Sequence, residues 1–246
     1  MSVVIIGAGH AGTTAAATLR KLNKDIKISL FSDERSVPYQ RPPLSKKTIF
    51  SDTQNYDLIL GKDFYDKNDI QLNLDSAVEE INPKQSYVRL NSKEIIEYDQ
   101  LIIATGTKGY KLNIPGGEQA QTLYSINDAH KLANSIAKAK KIAVIGGGFI
   151  GCEIASGVQK LNKDVTLLET GPSILGRSVA PIFAESVSKI HHSQGIKILT
   201  NCKALSINNR GVETTSSIIS ADLVVAGIGV TPNIELATEA NLDIDN

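Results

Sequence analysis

Apolar residues in this chain fall in short runs, each followed by glycines and then by a longer stretch of mixed small and polar residues. The first run is VVII at 3–6, followed by GAGHAG with Gly7, Gly9 and Gly12, an alanine-rich stretch to Leu22, and a second run, DIKISLF, at 25–31. A short apolar run bounded by glycine predicts a buried strand, and the stretch between two such runs predicts a helix. The order is strand, glycine turn, helix, strand.

That order returns in KIAVIGGGFIGCEIASGVQKLNKDVTLLE at 141–169, with Gly146, Gly148 and Gly151 in the turn and Glu169 closing the second strand. KLNKD stands at 21–25 and again at 160–164, an offset of 139 that also separates Gly7 from Gly146. Each copy is followed by short strand-like segments and a last apolar strand. The first set turns at Asn82-Pro83 and ends in Ala104, Thr105 and Gly106; the second ends in GIGVTPN, with Gly227 and Gly229. Duplication of one mononucleotide-binding unit accounts for the layout. A linker falls at 110–121, where YKLNIPGGEQAQ combines polar residues with Pro115, Gly116 and Gly117.

A lone G-x-G-x-x-G also occurs in ordinary turns, but here each copy follows an apolar strand and opens a helix, twice in register. The first glycine permits the tight turn, the second lets the backbone approach a pyrophosphate, and the third lets the helix pack on the strand. The helix N-terminus then offers N–H groups to the anion. Glu169, 23 positions after Gly146, can accept hydrogen bonds from both hydroxyls of an adenosine ribose. It would repel a 2′-phosphate, and no arginine stands at 170–176, which favours NADH over NADPH. In the first copy the aligned position is Leu30, and the candidate acid, Asp33, comes 26 positions after Gly7. Two different dinucleotides are expected.

Composition narrows the classes. A chain of 246 residues with 41% hydrophobic and 21% charged content can fold around real cores as one large or two modest domains. Its 26 basic and 26 acidic side chains leave no net field for non-specific nucleic-acid binding. The opening residues carry no basic group before their apolar run, as a signal peptide would, and no apolar run reaches membrane-spanning length. A soluble cytoplasmic protein is expected. Cys152 and Cys202 form neither a C-x-x-C pair nor a metal-ligand spacing, so they are read as small buried residues; no metal site is expected, and redox work falls to a cofactor. His191 and His192, before a glycine, are expected to cap a helix end, His10 to make a local backbone or solvent contact, and none of the four histidines to be catalytic. VPYQRPPLSKK at 37–47 is a stiff loop, because its two adjacent prolines fix φ and lack N–H donors, and it carries Arg41 and Lys46.

The paired glycine units, the ATG at 104–106 and the GIGVTPN at 227–233 resemble the two-dinucleotide flavoprotein oxidoreductases, with FAD on the first unit and a nicotinamide nucleotide on the second. PYQRPPLSK is similar to the signature of the ferredoxin, rubredoxin and putidaredoxin reductases and of the reductase components of aromatic dioxygenases, with apoptosis-inducing-factor proteins as relatives. The disulfide-reductase branch carries two cysteines five apart, a pair this chain lacks. The resemblance implies an α/β fold of two Rossmann-like, doubly wound parallel-sheet domains, each with a small antiparallel insertion. The division would be 1–110 for FAD, 111–233 for NADH, and 234–246 for the start of a return to an FAD domain left incomplete. Roughly three-fifths of a typical member would be present.

The same resemblance assigns roles. FAD would be held by Gly7, Gly9, His10, Ala11, Gly12, Asp33, Arg41, Lys46, Val78, Ala104, Thr105 and Gly106; NADH would be held by Gly146, Gly148, Phe149, Ile150, Gly151, Glu169, Gly227 and Gly229. Arg41 would lie on the FAD pyrophosphate, and Lys46, paired with Glu153, near the reactive edge of the flavin as the catalytic pair. A glutamate in the first turn of a helix, where Glu153 is expected, is also favoured by the helix dipole alone, which leaves a purely local reading of Glu153 open. Tyr124 departs from the pattern, since some relatives carry arginine there. The implied activity passes hydride from NADH to FAD and electrons onward to a small iron-sulfur or rubredoxin-type carrier. The alternatives are an NADH oxidase or diaphorase, or an NAD(H)-binding module whose flavin site is defunct; the oligomeric state stays open.

Overall fold

The computed structural model describes residues 1–50 and 56–245. Two compact units divide the chain: Met1–Gln40, Asp57–Lys108 and Pro232–Asn246 form one, and Arg41–Tyr56 with Gly109–Thr231 form the other.

The first unit runs β1 (Ser2–Ile6), α1 (His10–Leu22), β2 (Lys27–Phe31), α2 (Phe64–Lys67), β3 (Ile70–Asn73), β4 (Val78–Asn82), β5 (Tyr87–Leu90), β6 (Ile95–Glu97) and β7 (Gln100–Ile103), with β8 (Thr107–Gly109) leading out of it. Four strands form a parallel sheet in the order β3-β2-β1-β7, and β4-β5-β6 form an antiparallel insertion. The apolar runs are continuous because both sheet faces are covered. Val3, Ile5, Ile28 and Leu30 pack in one core with Ala16 of α1, while Val4, Ile6 and Phe31 pack in another with Ile81, Val88 and Leu90 of the insertion.

The second unit repeats the plan. It runs β9 (Gln121–Thr122), α3 (Ile126–Lys138), β10 (Lys141–Ile145), α4 (Phe149–Gln159), β11 (Asp164–Leu168), α5 (Pro181–Ser193), β12 (Lys197–Leu199), β13 (Ala204–Asn208), β14 (Gly211–Thr214), β15 (Ile218–Ile219) and β16 (Leu223–Ala226). The parallel sheet has the order β12-β11-β10-β16-β9, which is the first sheet's order with one strand added, and β13-β14-β15 form its antiparallel insertion. After β17 (Val230–Pro232) the chain re-enters the first unit through α6 (Glu235–Glu239), and Ala240 joins the core of Ile81 and Val88.

The duplication reaches single residues. Asp99 accepts from the backbone N–H of Ser2 at 2.6 Å, and Asp222 accepts from those of Lys140 and Lys141 at 2.9 and 3.0 Å. Asp99 thereby clips β7 to the start of β1, and Asp222 clips β16 to the start of β10. The literal KLNKD repeat, by contrast, is not a structural equivalence. Lys27 pairs with Ser2 at the start of the first sheet and Asp164 with Lys141 at the start of the second, so Lys27 is the counterpart of Asp164. The reason is helix length: α1 has 13 residues and α4 has 11.

The segment Arg41–Tyr56, assigned from sequence to the first domain, clusters with the second unit. Leu44 and Ile49 are buried there, and an added Cβ at Gly157 of α4 would stand 2.1 Å from the ring of Phe50.

Candidate functional site

Each glycine turn is built by close approach. Gly7 and Gly146 have φ of 99° and 105°, and a Cβ on either would collide with a carbonyl at the end of the neighbouring strand, that of Ala104 at 2.2 Å or of Gly227 at 2.5 Å. Ala104 and Gly227 are thus equivalent, and their N–H groups donate to Ile6 and Ile145. At Gly12 and Gly151 an added Cβ would stand 1.9 Å from the carbonyl oxygen of the first glycine of its own loop. The third glycine therefore permits the loop to fold on itself, and the helix-on-strand contact expected of it is secondary.

The second glycine behaves differently. A Cβ on Gly9 or Gly148 would meet nothing within 4 Å, so both loops face open space at the point where a pyrophosphate is expected. Both glycines are N-caps, neither α1 nor α4 has a side-chain cap, and neither has an acidic residue in its first turn. In α3, by comparison, Ser125 and Asp128 form a complete capping box. The N–H groups at the starts of α1 and α4 are thus left for an anion. Around them His10, Ala11, Phe149 and Ile150 are exposed, Phe149 by 55%. The residues present fit a dinucleotide phosphate in each unit.

The two loops differ one strand away. Glu169 is buried against its loop: Oε2 accepts from the N–H of Gly147 at 2.7 Å, and Oε1 accepts from that of Gly171 at 2.7 Å and from the Thr170 hydroxyl at 3.2 Å. A carboxylate has about four acceptor positions, so one remains for a ribose hydroxyl. Its counterpart in the first unit is Ser32, not Leu30. The N–H groups of Ser32 and Glu169 donate to the last residues of β3 and β12, Asn73 and Leu199, while Leu30 is fully buried in the sheet. The two-residue difference in helix length displaces the alignment. Asp33, next to Ser32, is exposed, and Glu34 accepts from the Tyr39 hydroxyl at 2.6 Å. Val78 opens β4 opposite Leu90, ahead of a bulge. Gly106 and Gly229, at φ 67° and 109°, close the two equivalent turns after β7 and β16.

The proline loop and α4 supply a third cluster, entirely within the second unit. Pro43 accepts backbone bonds from Lys46, Lys47 and Thr48, winding the loop into tight turns. This places Lys46 Nζ 3.1 Å from Glu153 Oε2 and 3.0 Å from the Pro42 carbonyl. Ser45, which sequence reading passed over, donates its hydroxyl to the same Oε2 at 2.5 Å. Glu153 lies beyond the first turn of α4 and shares a face with Gly157, so the local helix-dipole reading does not account for it. Arg41 Nη1 donates to the Tyr124 carbonyl at 2.9 Å, and its guanidinium stacks 4.5 Å from the Tyr124 ring centroid. Tyr124 is itself fixed by its N–H bond to Asp128.

Both cysteines are free and buried. Burial, reinforced by the charges of Glu169 and Glu153, pushes the Cys152 thiol up to about 12. His191 does sit in the last turn of α5, but its buried ring bridges rather than caps: its nitrogens lie 3.1 Å from the carbonyl oxygens of Val187 and Cys152. Among the described residues no group of His, Cys, Asp and Glu could hold a metal, and no helix is long and apolar enough to cross a membrane.

Two glycine-loop sites of unequal chemistry on a duplicated parallel-sheet plan define a two-dinucleotide protein. The chain belongs to the pyridine nucleotide-disulphide oxidoreductase family, which it matches over residues 1–246. It is 35% identical to rubredoxin-NAD(+) reductase of Pseudomonas putida over 100% of this chain and 66% of the relative, and 38% identical to rhodocoxin reductase of Rhodococcus erythropolis over 100% and 60%. Among solved structures, a ferredoxin reductase from Rhodopseudomonas palustris superimposes with a TM-score of 0.95 at 31% identity, covering 99% of this chain and 62% of that one. Putidaredoxin reductase, in its covalent complex with putidaredoxin, gives 0.94 at 32% over 99% and 62%. The chain thus spans about two-thirds or less of the length of the relatives it matches.

Proposed function

We propose that this chain binds FAD on its first unit and NADH on its second, and passes electrons from NADH to a small iron-sulfur or rubredoxin-type protein. The observation that carries the reading is the asymmetry between equivalent positions: Glu169 is a buried carboxylate under one loop, and Ser32 takes its place under the other. Equal loops with unequal ribose partners suit two different dinucleotides. The names of the similar proteins supply the acceptor class.

Bound FAD would accept a hydride from NADH and release electrons singly. The chain's own part is binding, orientation and charge. Gly9, His10, Ala11 and Gly12 present N–H groups to the FAD pyrophosphate, with Arg41 as its cation, while Gly7, whose own N–H donates to Phe31, makes the tight turn that admits it. Asp33 takes the adenosine ribose, Val78 the adenine through its backbone, and Ala104, Thr105 and Gly106 line the closing turn. Gly148, Phe149, Ile150 and Gly151 do the same for NADH; Gly146 and Gly227, whose own N–H groups donate to Leu168 and Ile145, shape the turn beside them, Gly229 lines the closing turn, and Glu169 selects NADH against NADPH. Lys46 places a positive charge for a flavin that becomes anionic on reduction, and Glu153 is its carboxylate partner in the absence of that anion. Two buried thiols that form no disulfide suit a reducing compartment, and we assign the protein to the cytoplasm.

The test is the visible spectrum of the FAD-reconstituted chain, before and after one equivalent of NADH without oxygen. Bleaching of the flavin bands supports the proposal. A chain that takes up no FAD, or whose flavin NADH leaves oxidised, refutes it; rapid reoxidation by air with no transfer to ferredoxin or rubredoxin would point to an oxidase.

A further inference from the structure

Glu153 Oε2 receives two donors of different character. Ser45 is 5% exposed and its hydroxyl lies 2.5 Å away. Lys46 lies 3.1 Å away with a side chain 55% exposed. A solvent-exposed lysine on four rotatable bonds holds a carboxylate weakly and is screened by salt. The Ser45 hydroxyl is placed by the backbone turn on Pro43 and by the burial of Leu44 and Ile49 beside it, so it costs little ordering when it bonds. Lys46 also has a second acceptor within reach, the Pro42 carbonyl.

We infer that Ser45 is the positioning residue for Glu153, the donor that keeps the carboxylate in its orientation while Lys46 turns toward an anion. This rests on the proposed role of Lys46 and Glu153. In the division of labour Ser45 is the constant partner and Lys46 the movable one. Loss of Lys46 leaves Glu153 anchored; loss of Ser45 leaves it to a screened ion pair.

The experiment compares wild type, Ser45→Ala, Glu153→Ala and the double variant, each reconstituted with FAD, by anaerobic stopped-flow reduction with NADH at low and high salt and by urea unfolding. Ser45→Ala is expected to slow reduction roughly tenfold, as for loss of one charge-assisted hydrogen bond, and to make the rate fall further with salt. It should add nothing in the Glu153→Ala background, where a merely structural serine would add its full effect. A wild-type rate in Ser45→Ala, or an equal slowing in both backgrounds, overturns the inference. If wild type takes up no FAD, the functional reading fails separately and the unfolding data decide: non-additive destabilisation sustains the Ser45–Glu153 coupling, and additivity overturns it.

Discussion

Thr105 and Asn233 exchange two hydrogen bonds across 128 positions of sequence: the Thr105 hydroxyl donates to the Asn233 carbonyl at 2.8 Å, and the Asn233 amide donates to the Thr105 carbonyl at 2.9 Å. The Asn233 N–H donates in addition to Gly106. The returning chain is thereby locked to the turn that closes the first parallel sheet. Asn233→Ala leaves the Thr105 carbonyl without this donor and is expected to cost about 1–2 kcal/mol in urea unfolding.

Gly157 is the position on α4 that admits Phe50. Alanine in a helix interior is favoured over glycine by about 1 kcal/mol, but here its Cβ would lie 2.1 Å from the ring, and overpacking costs about 1–3 kcal/mol. The clash wins: Gly157→Ala should destabilise by about 1 kcal/mol. In a Phe50→Ala background the sign should reverse, which chemical denaturation of the four proteins checks.

Cys152 should resist iodoacetamide at pH 8 in the folded protein and react once unfolded, because burial holds its thiol near 12 against an ordinary 9.0. A raised thiol value means that the folded state disfavours the thiolate. The contribution to stability is whole below about pH 9 and is lost as pH rises toward 12. Wild type should therefore lose more stability between pH 8 and 10.5 than Cys152→Ala does, as read from urea midpoints.

Glu169→Ala removes the acceptor of two backbone N–H groups and is expected to cost about 1–3 kcal/mol of stability. It should also weaken NADH binding by roughly tenfold or more, leave FAD binding unchanged, and narrow the preference over NADPH. Fluorescence titration with each nucleotide separates these effects.

The parts of the molecule legible in the sequence are those where one local pattern has one physical cause. Val3–Ile6 and Ile142–Ile145 read as strands because a parallel strand covered on both faces must be apolar at every position. The glycine loops read as nucleotide turns because positive φ at Gly7 and Gly146 and close approach at Gly12 and Gly151 demand glycine. Register was less legible. KLNKD suggested an equivalence that two extra residues in α1 break, and an alanine-rich helix carries no mark of where it gains them. Leu44 and Ile49 are apolar, but nothing in the pattern around them says that they are buried or which unit they pack with. Ser45 gave no signal, since a serine beside a lysine on a loop is ordinary until a carboxylate from α4 arrives at its hydroxyl.

The central claim is that the two glycine loops bind different dinucleotides, and the most direct measurement substitutes the middle glycine of each. Neither Gly9 nor Gly148 has positive φ, and neither would bring a Cβ within 4 Å of another atom, so valine at either should leave the fold in place while filling the space kept for a pyrophosphate. Titrations with FAD and with NADH should show Gly9→Val losing FAD and keeping NADH, and Gly148→Val losing NADH and keeping FAD. Folded variants that lose the same nucleotide, or that lose neither, would contradict the account.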